Sequence, residues 1–195
     1  ADSATAPELA VAPNGDAFAV WEQWDGVQHS IFACRYAAGE GWDAVERVET
    51  NDTHMATNPA VAVDGQGGAM VAWVQFDGMN FDLWSNRYVA GVGWGSPELA
   101  EDYADTVGTF SLDVDASGNA TVAFWRYDGF HQVMCANRYV ADEGWGSPEQ
   151  IADGVGDDDY PSVGMDGAGN VVVVWQRYGG SLWDLWSNAY VAGEG

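Results

Sequence analysis

The chain repeats one sequence unit four times, and the register of the repeat hardly changes along its 195 residues. One aromatic position recurs at spacings of 52, 51 and 51 residues, at Tyr36, Tyr88, Tyr139 and Tyr190. A second position closes a short apolar run with the same spacings, at Trp21, Trp73, Phe124 and Trp175. A period near 50 residues predicts a stacked or circular array of one supersecondary unit.

The second repeat shows most clearly what that unit is. Runs rich in residues that suit β-strands alternate with turns that contain Gly, Asp or Asn, and the Asp77-Gly78 step is a hairpin signal. No segment has helical periodicity, because Gly or Pro interrupts every candidate. The sequence therefore predicts four short antiparallel strands, at about 58–63, 69–75, 81–90 and 94–99.

The second strand of each unit decides between the all-β architectures. Val71, Ala72 and Trp73 are consecutive apolar residues, as are residues 171–175, so this strand is apolar on both faces. We expect each sheet to lie between two others, as in a β-propeller of four-stranded antiparallel blades. The chain is predicted to be one repeat domain over 1–195, with blades at about 7–50, 59–102, 110–153 and 161–195.

The fourth repeat stops at Gly195, one residue before its expected Trp, so the last blade is predicted to lack its outer strand. An exposed strand edge is a feature that natural proteins avoid. Two explanations remain open. The chain is part of a longer array, or another molecule supplies the strand and an oligomer or filament results.

Composition narrows the class of partner. Thirty acidic residues face six basic ones, and the formal net charge is −24. Such a surface repels nucleic acids and anionic membranes, and no apolar run is long enough for a membrane span. The remaining readings are solubility in salty or extracellular surroundings, cation binding, or attraction to a basic partner.

The consensus of the repeat resembles a known repeat type. It reads Pro-x-Val-Ala-Val-Asp near the first turn, and Asn-Arg-Tyr-x-Ala-Gly-x-Gly-Trp-Gly-Ser-Pro-Glu near the last hairpin. From about Pro7 to Gly195 this resembles tandem blade repeats of uncharacterised secreted or surface proteins of bacteria. The resemblance implies a β-propeller and an extracellular or cell-surface location. The first turn, at 111–119 above all, also distantly resembles the Asp-box of sialidase-like propellers.

The candidate ligand-binding residues flank the second turn of each repeat. Aromatic rings beside Asp at blade ends can stack on sugars and bond their hydroxyls, and inter-blade packing is the alternative explanation for the rings. The candidates are Trp24, Phe76, Tyr127, Tyr178, Asp25, Asp77 and Asp128. By contrast, we expect Trp42, Trp94 and Trp145 to be buried hairpin anchors, and Asp64, Asp115 and Asp166 to stabilise turns.

No catalytic set stands out against the repeat. Arg35, Arg87 and Arg138 occupy one repeat position, so we expect them to pair with acids or stack on tryptophan rings. The acidic linkers suit calcium, with Asp157 and Asp159 as the first candidates, although a solvated acidic rim explains them as well. No other cofactor is expected. Cys34 and Cys135 are predicted to be free thiols or to link two chains.

The sequence thus predicts a secreted or cell-surface β-propeller without catalysis, which serves adhesion or binds a ligand such as a glycan. Its partner would be a glycan, or another copy of the chain through the open blade edge. One alternative is a structural subunit of an extracellular fibre or layer that assembles by strand complementation. The other is a glycan-processing enzyme, which no motif supports.

Overall fold

A computed structural model describes residues 3–51 and 53–193, and within them the chain forms strands and turns but no helix. No segment there is therefore a helix of the length and apolarity that crossing a membrane requires. The strands form four antiparallel sheets, one for each repeat, in chain order. The predicted all-β architecture of blade-like sheets is confirmed.

Each blade begins with three long strands. The inner strands are β1 (Ala4–Val11), β6 (Ala56–Val63), β11 (Val107–Val114) and β16 (Asp157–Met165). The second strands are β2 (Ala17–Trp24), β7 (Ala69–Phe76), β12 (Ala120–Tyr127) and β17 (Val171–Tyr178). The third strands are β3 (His29–Ala37), β8 (Phe81–Val89), β13 (Gln132–Val140) and β18 (Trp183–Tyr190).

The outer strand differs from the single run that the sequence predicts. It consists of two short bridges, both paired with the third strand: β4 (Gly41–Trp42) and β5 (Glu46–Arg47), β9 (Gly93–Trp94) and β10 (Glu98–Leu99), and β14 (Gly144–Trp145) and β15 (Glu149–Gln150). In blades 2 and 3 the break falls on Gly-Ser-Pro, where proline has no N–H to donate to the ladder. The described part of blade 4 contains three strands, as predicted.

Apolar side chains from adjacent blades form the core. Trp73 packs with Val20 and Ile31 of blade 1, and Phe124 packs with Ala72 and Leu83 of blade 2. Trp175 repeats the arrangement against Ala123 and Met134 of blade 3. The three aromatic rings are at most 2% exposed. The second strands of blades 2 and 3 are buried on both faces, as their apolar runs predict, whereas β17 is buried on one face and exposes Val172 on the other.

Polar side chains fix the angle between neighbouring blades. The amide Nδ2 of Asn86 donates to the carbonyl of Val48 at 2.9 Å, and Asn137 repeats the bond to Ala100. The Arg87 guanidinium lies 5.7 Å from the centre of the Tyr139 ring in the next blade. The Arg138 guanidinium lies 3.9 Å from the centre of the Tyr190 ring, so these two arginines stack on tyrosine rings and not on the tryptophans that were expected.

The hairpin tryptophans and the two cysteines can now be compared with their predictions. Trp94 and Trp145 are half-buried against the preceding blade, but Trp42 is 56% exposed, so its prediction as a buried anchor is wrong. Trp42 belongs to blade 1, and no described blade precedes it. Cys34 and Cys135 are free and buried, which leaves neither thiol accessible for a link between chains.

Candidate functional site

The four inner strands carry a β-bulge at the same repeat position, near the end where each strand begins. The pairing with the second strand shifts after Thr5, Thr57, Val107 and Asp159. Within this bulge the backbone of Asn58 has a φ of 51° and that of Tyr160 a φ of 50°. A bulky residue with positive φ is a backbone outlier, and such outliers and bulges are frequent near functional sites.

The inner strands of blades 1 to 3 enclose a cavity of about 470 Å³ that is open to solvent. Its polar lining comes from Glu8, Asn58, Thr109 and Ser111. Tyr160 occupies the equivalent position to Asn58 and Thr109 on blade 4, and its side chain is 63% exposed. These side chains form what we call the axial mouth, the end of the inner strands where the bulges lie.

Glu22 lies at this level on the second strand of blade 1, where it pairs with Thr5. Its Oε1 is 2.7 Å from Nδ1 of His29, and its Oε2 accepts a hydrogen bond from the hydroxyl of Thr57 on blade 2. The Glu22 side chain is 12% exposed and the His29 side chain 40% exposed. The imidazole therefore links a largely buried carboxyl to solvent.

Asp159 is the matching carboxylate on blade 4. The hydroxyl of Thr109 on blade 3 donates to Asp159 Oδ1 at 2.5 Å, and the backbone N–H of Tyr160 donates to the same oxygen at 2.7 Å. Both Glu22 and Asp159 are thus bound by a threonine from an adjacent inner strand. These bonds fix the orientation of each carboxyl group at the axial mouth.

The acidic residues of the axial mouth, Glu8, Glu22 and Asp159, do not recur at the equivalent positions of the other blades, whereas the residues that pack the blades do. Each of the three carboxyl groups occurs once, and the other repeats carry uncharged residues there. Glu8 is replaced by Ala60, Ser111 and Ser162, Glu22 by Val74, Trp125 and Gln176, and Asp159 by Thr5, Thr57 and Gly108. The sequence analysis missed Glu8, Glu22 and Tyr160, although an alignment of the repeats shows the two glutamates as single exceptions.

An indole ring covers the inner strand of blade 3 beside Thr109, the residue that binds Asp159. A Cβ placed on Gly108 would lie 1.8 Å from Cζ2 of Trp125, so the ring packs directly on the glycine backbone. No hydrogen-bond partner for Trp125 Nε1 occurs among the described residues. Glycine at this position therefore lets an aromatic ring reach the strand that also carries Thr109.

The predicted ligand-binding rings lie at the same end of the blades as the axial mouth. Trp24 is 40% exposed and lies edge-on to His29, the partner of Glu22, at 5.6 Å between ring centres. Tyr127 and Tyr178 are exposed, whereas Phe76 is half-buried against His54 and Phe81. Only Trp24 thus contacts a residue described above, His29, and the glycan-binding role of all four rings stays a prediction.

The aspartates beside those rings close their own turns. Asp25 accepts the backbone N–H groups of Val27 and Gln28, and Asp77 and Asp128 accept the equivalent pairs. The bonds from Gln28, Asn80 and His131 lower the pKa of the respective carboxyl groups. One oxygen of each side chain is therefore occupied by the turn, and its role in binding a ligand stays a prediction.

The predicted calcium ligands are engaged with the protein. Asp157 Oδ1 is 3.4 Å from Nδ1 of His131 and accepts the backbone N–H of Gln132, and Asp159 is bound as described above. Across 3–51 and 53–193, no three or more His, Cys, Asp or Glu side chains form a group that could hold a metal ion. Calcium binding by Asp157 and Asp159 stays a prediction.

Comparison with solved structures identifies the fold. No known protein family and no curated protein matches this sequence. Similar solved structures include a Penicillium chrysogenum alpha-L-arabinanase complexed with arabinobiose, with a TM-score of 0.66 and 14% identity over 96% of this chain and 62% of that one. A Fusarium graminearum alpha-L-arabinofuranosidase with an iminosugar inhibitor gives 0.60 and 11% over 95% and 61%.

A bacterial enzyme belongs to the same group of structures. An endo-arabinase from Bacteroides thetaiotaomicron gives a TM-score of 0.57 and 10% identity over 97% of this chain and 75% of that one. At such low identity the likeness establishes the fold alone. The fold is that of a β-propeller.

The comparisons correct the functional prediction. A propeller without catalysis was expected, but the three solved structures named above are an arabinanase, an arabinofuranosidase and an endo-arabinase. The prediction of a non-catalytic adhesion or binding protein, and with it the prediction that the chain is not an enzyme, is therefore contradicted. The fibre-forming alternative receives no support from the same comparisons.

Proposed function

We propose that this chain processes glycans and that the reaction takes place at the axial mouth. The observation that carries the proposal is that two single exceptions to the repeat, Glu22 and Asp159, are both carboxyl groups at the same end of their blades. Each accepts a hydrogen bond from a threonine of a neighbouring inner strand, Thr57 and Thr109 respectively. Cleavage of a glycosidic bond requires two carboxyl groups, one to protonate the leaving oxygen and one to activate water or attack the sugar.

We assign the two roles from the surroundings of each group. Glu22 is largely buried and contacts His29, whose exposed imidazole can restore a proton after each turnover, so Glu22 is the acid. Asp159 is held by two donors in one orientation beside the exposed Tyr160, which suits the base or nucleophile. Trp24, packed on His29, offers a ring on which a sugar can stack.

Charge points to the substrate class. With a formal net charge of −24, the surface repels polyanionic glycans, so we propose a neutral glycan as substrate. The arabinanase and arabinofuranosidase structures with this fold make neutral arabinose polymers the first substrates to test. An extracellular location fits such a polymer and is part of the proposal, as is a place among secreted or surface repeat proteins.

The test measures release of reducing ends from arabinan, xylan and a polyanionic control glycan. We expect Glu22→Gln and Asp159→Asn each to lower the rate by about 10²- to 10⁴-fold, because each removes a group that transfers a proton or attacks the sugar. Glu40→Gln, an exposed carboxyl on a hairpin at the opposite end of blade 1, is the matched control and should leave the rate unchanged. Wild-type turnover that survives both substitutions would overturn the assignment.

A further inference from the structure

The turn between the second and third strands carries an exposed apolar residue in each of the first three blades. The residue is Val27, Met79 or Phe130, and these side chains are 71%, 81% and 82% exposed. A single exposed apolar residue is ordinary, but three different apolar residues at one exposed repeat position require a cause. We call the turns 25–28, 77–80 and 128–131 the blade tips.

Met79 and Phe130 belong to blades 2 and 3, each of which packs between two other blades. Their exposure is therefore a property of the tip and not of an open blade face. In blade 2 the pairing of Ala56 with Gln75 places the tip beside the beginning of the inner strand. The blade tips thus lie at the same end of the blades as the axial mouth.

Hydrogen bonds hold the tip of blade 2 in one conformation. Asp77 Oδ1 accepts the backbone N–H groups of Met79 at 2.6 Å and of Asn80 at 2.7 Å. The Asn80 side chain donates to the carbonyl of Ala104 at 3.0 Å and accepts from the hydroxyl of Thr106 at 3.3 Å. Both partners lie on the linker to blade 3, so the tip is fixed to the next blade as well as to its own strands.

The tip of blade 3 is held in the same way. Asp128 Oδ1 accepts the backbone N–H groups of Phe130 and His131, both at 2.8 Å. His131 Nδ1 lies 3.4 Å from Oδ1 of Asp157, at the beginning of the inner strand of blade 4. Both apolar side chains therefore project from turns that are already ordered, so binding at these tips costs little conformational entropy in the backbone.

The tips of blades 2 and 3 also present a carboxylate oxygen without a donor. Across residues 3–51 and 53–193, neither Asp77 Oδ2 nor Asp128 Oδ2 accepts a hydrogen bond. Blade 1 differs, because Asp25 Oδ2 already accepts from Ser30 Oγ at 3.0 Å and from the Arg47 guanidinium at 3.4 Å. Blades 2 and 3 thus combine an exposed apolar side chain with an available acceptor in one ordered turn.

We propose that the tips of blades 2 and 3 bind a neutral glycan chain outside the axial mouth, an inference that takes its class of ligand from the proposed function. A sugar ring presents apolar C–H faces to Met79 and Phe130, and its hydroxyl groups donate to Asp77 and Asp128. A protein partner fits less well, because its interface needs about 800 Å² of contiguous surface and the tips are single apolar residues between polar linkers. Equivalent sites on successive blades suit a polymer of repeated units, since one chain can occupy both.

Electrophoresis through gels that contain arabinan, xylan or a polyanionic control glycan measures this binding without any need for turnover. Met79→Ser and Phe130→Ser should each weaken the retardation by a neutral glycan about three- to tenfold, because each removes the apolar contact of one site. Both positions are solvent-exposed, so the fold should tolerate the changes, and the melting temperature checks this. Val92→Ser is the matched control, since Val92 is 83% exposed on a hairpin at the opposite end of blade 2.

A second pair of variants tests the carboxylates. Asp77→Asn and Asp128→Asn keep an oxygen for the N–H groups of the turn but replace Oδ2 with an amide that cannot accept a hydroxyl. Each should weaken the retardation, whereas the turn itself stays closed.

The outcomes separate this site from the proposed reaction. A wild type that neither arabinan nor xylan retards, or tip variants that are retarded as the wild type is, would overturn the proposal, and the second result would favour a protein as the partner of the tips. Retardation that depends on the tips, in a protein that releases no reducing ends, would support the binding site and contradict the proposed reaction.

Discussion

At the scale of single residues, burial between blades changes the chemistry of a carboxyl group far from the axial mouth. Glu101 lies between blades 2 and 3 and is 3% exposed. Its oxygens accept the backbone N–H groups of Tyr103 at 2.7 Å and of Leu83 at 3.4 Å. Desolvation outweighs these bonds and raises the pKa of Glu101 to about 7. The protonated form is thus the form that the folded state favours.

The raised pKa predicts that the protein loses stability as the pH rises. The ordinary pKa of Glu101 is 4.5, so the unfolded chain releases the proton above that value while the folded chain keeps it up to about 7. The contribution of Glu101 is fully present below pH 4.5 and is lost through pH 7, which lowers the free energy of unfolding by about 3 kcal/mol. Urea titrations at several pH values measure the change.

Two variants separate Glu101 from the other acidic groups. The side chain of Glu101→Gln cannot ionise. The free energy of unfolding of this variant should therefore no longer decrease by this amount between pH 4.5 and 7, whether the variant is more or less stable than the wild type. Glu98→Gln changes an exposed carboxyl on β10, three residues before Glu101, and should keep the decrease. A Glu101→Gln protein with the slope of the wild type would show that another group causes it.

At the scale of elements, one carboxylate closes the first turn of blades 2 to 4. Asp115 Oδ1 accepts the N–H groups of Ser117 at 2.8 Å and Asn119 at 3.0 Å, and Oδ2 accepts the Asn119 amide. Asp166 makes the same three bonds in blade 4. Blade 1 has Ala12 instead of the aspartate, and there the backbone N–H of Asp16 donates to Asn14 Oδ1 at 2.9 Å. The turn of blade 1 is thus closed by an amide oxygen where the other three use a carboxylate.

The same substitution in two of these turns should have different costs. Asp115 is 5% exposed, so Asp115→Ala leaves two partly buried N–H groups without their acceptor and should lower the free energy of unfolding by about 1 to 3 kcal/mol. Asp166 is exposed, and water can replace its carboxylate, so Asp166→Ala should cost less. Denaturant unfolding measures both, with Ser117→Ala as the control in an exposed turn position. An equal decrease in the free energy of unfolding for both substitutions would show that burial does not determine how much these hydrogen bonds stabilise the protein.

These turns also show what could be predicted from sequence. Gly and Asp at fixed positions, with apolar runs between them, were sufficient for the strands, the turns and the blade stacking, because those features depend on local propensity and burial. The split of the outer strand and the bulge before Pro59 and Pro161 were not foreseen, since they depend on pairing partners that are distant in the chain. Glu22 was not predicted, because the candidate residues were chosen from positions that recur in the repeats and Glu22 occurs in one repeat.

The candidate site was predictable in part for a related reason. Trp24 was singled out from its turn and lies beside His29 and Glu22, whereas Phe76 belongs to the packing of its blade. Of the four rings at the second turns, Trp24 is the one in the blade that carries Glu22, and the other blades have no acidic residue at that position. A repeat thus predicts the scaffold from its regular positions, and the chemistry lies at the positions that depart from it.

At the scale of the whole molecule, the formal net charge of −24 on 195 residues opposes the compact state. Six arginines cannot neutralise 30 acidic residues, and several of these arginines already form ion pairs with particular carboxylates. Arg177, for instance, bonds to the buried Asp158 and to Asp153, and Arg126 bonds to Asp105. Most of the remaining carboxylates repel one another across the surface, and this repulsion is screened by salt.

Screening predicts that sodium chloride raises the melting temperature. Between 0.01 M and 1 M salt the screening length falls from about 30 Å to about 3 Å, and we expect a rise of about 5 °C. Differential scanning calorimetry at matched ionic strength separates this effect from a specific cation site. Equal shifts with calcium chloride and magnesium chloride would show that screening alone raises the melting temperature. A larger shift with calcium that disappears in Asp157→Asn would instead establish the predicted calcium site.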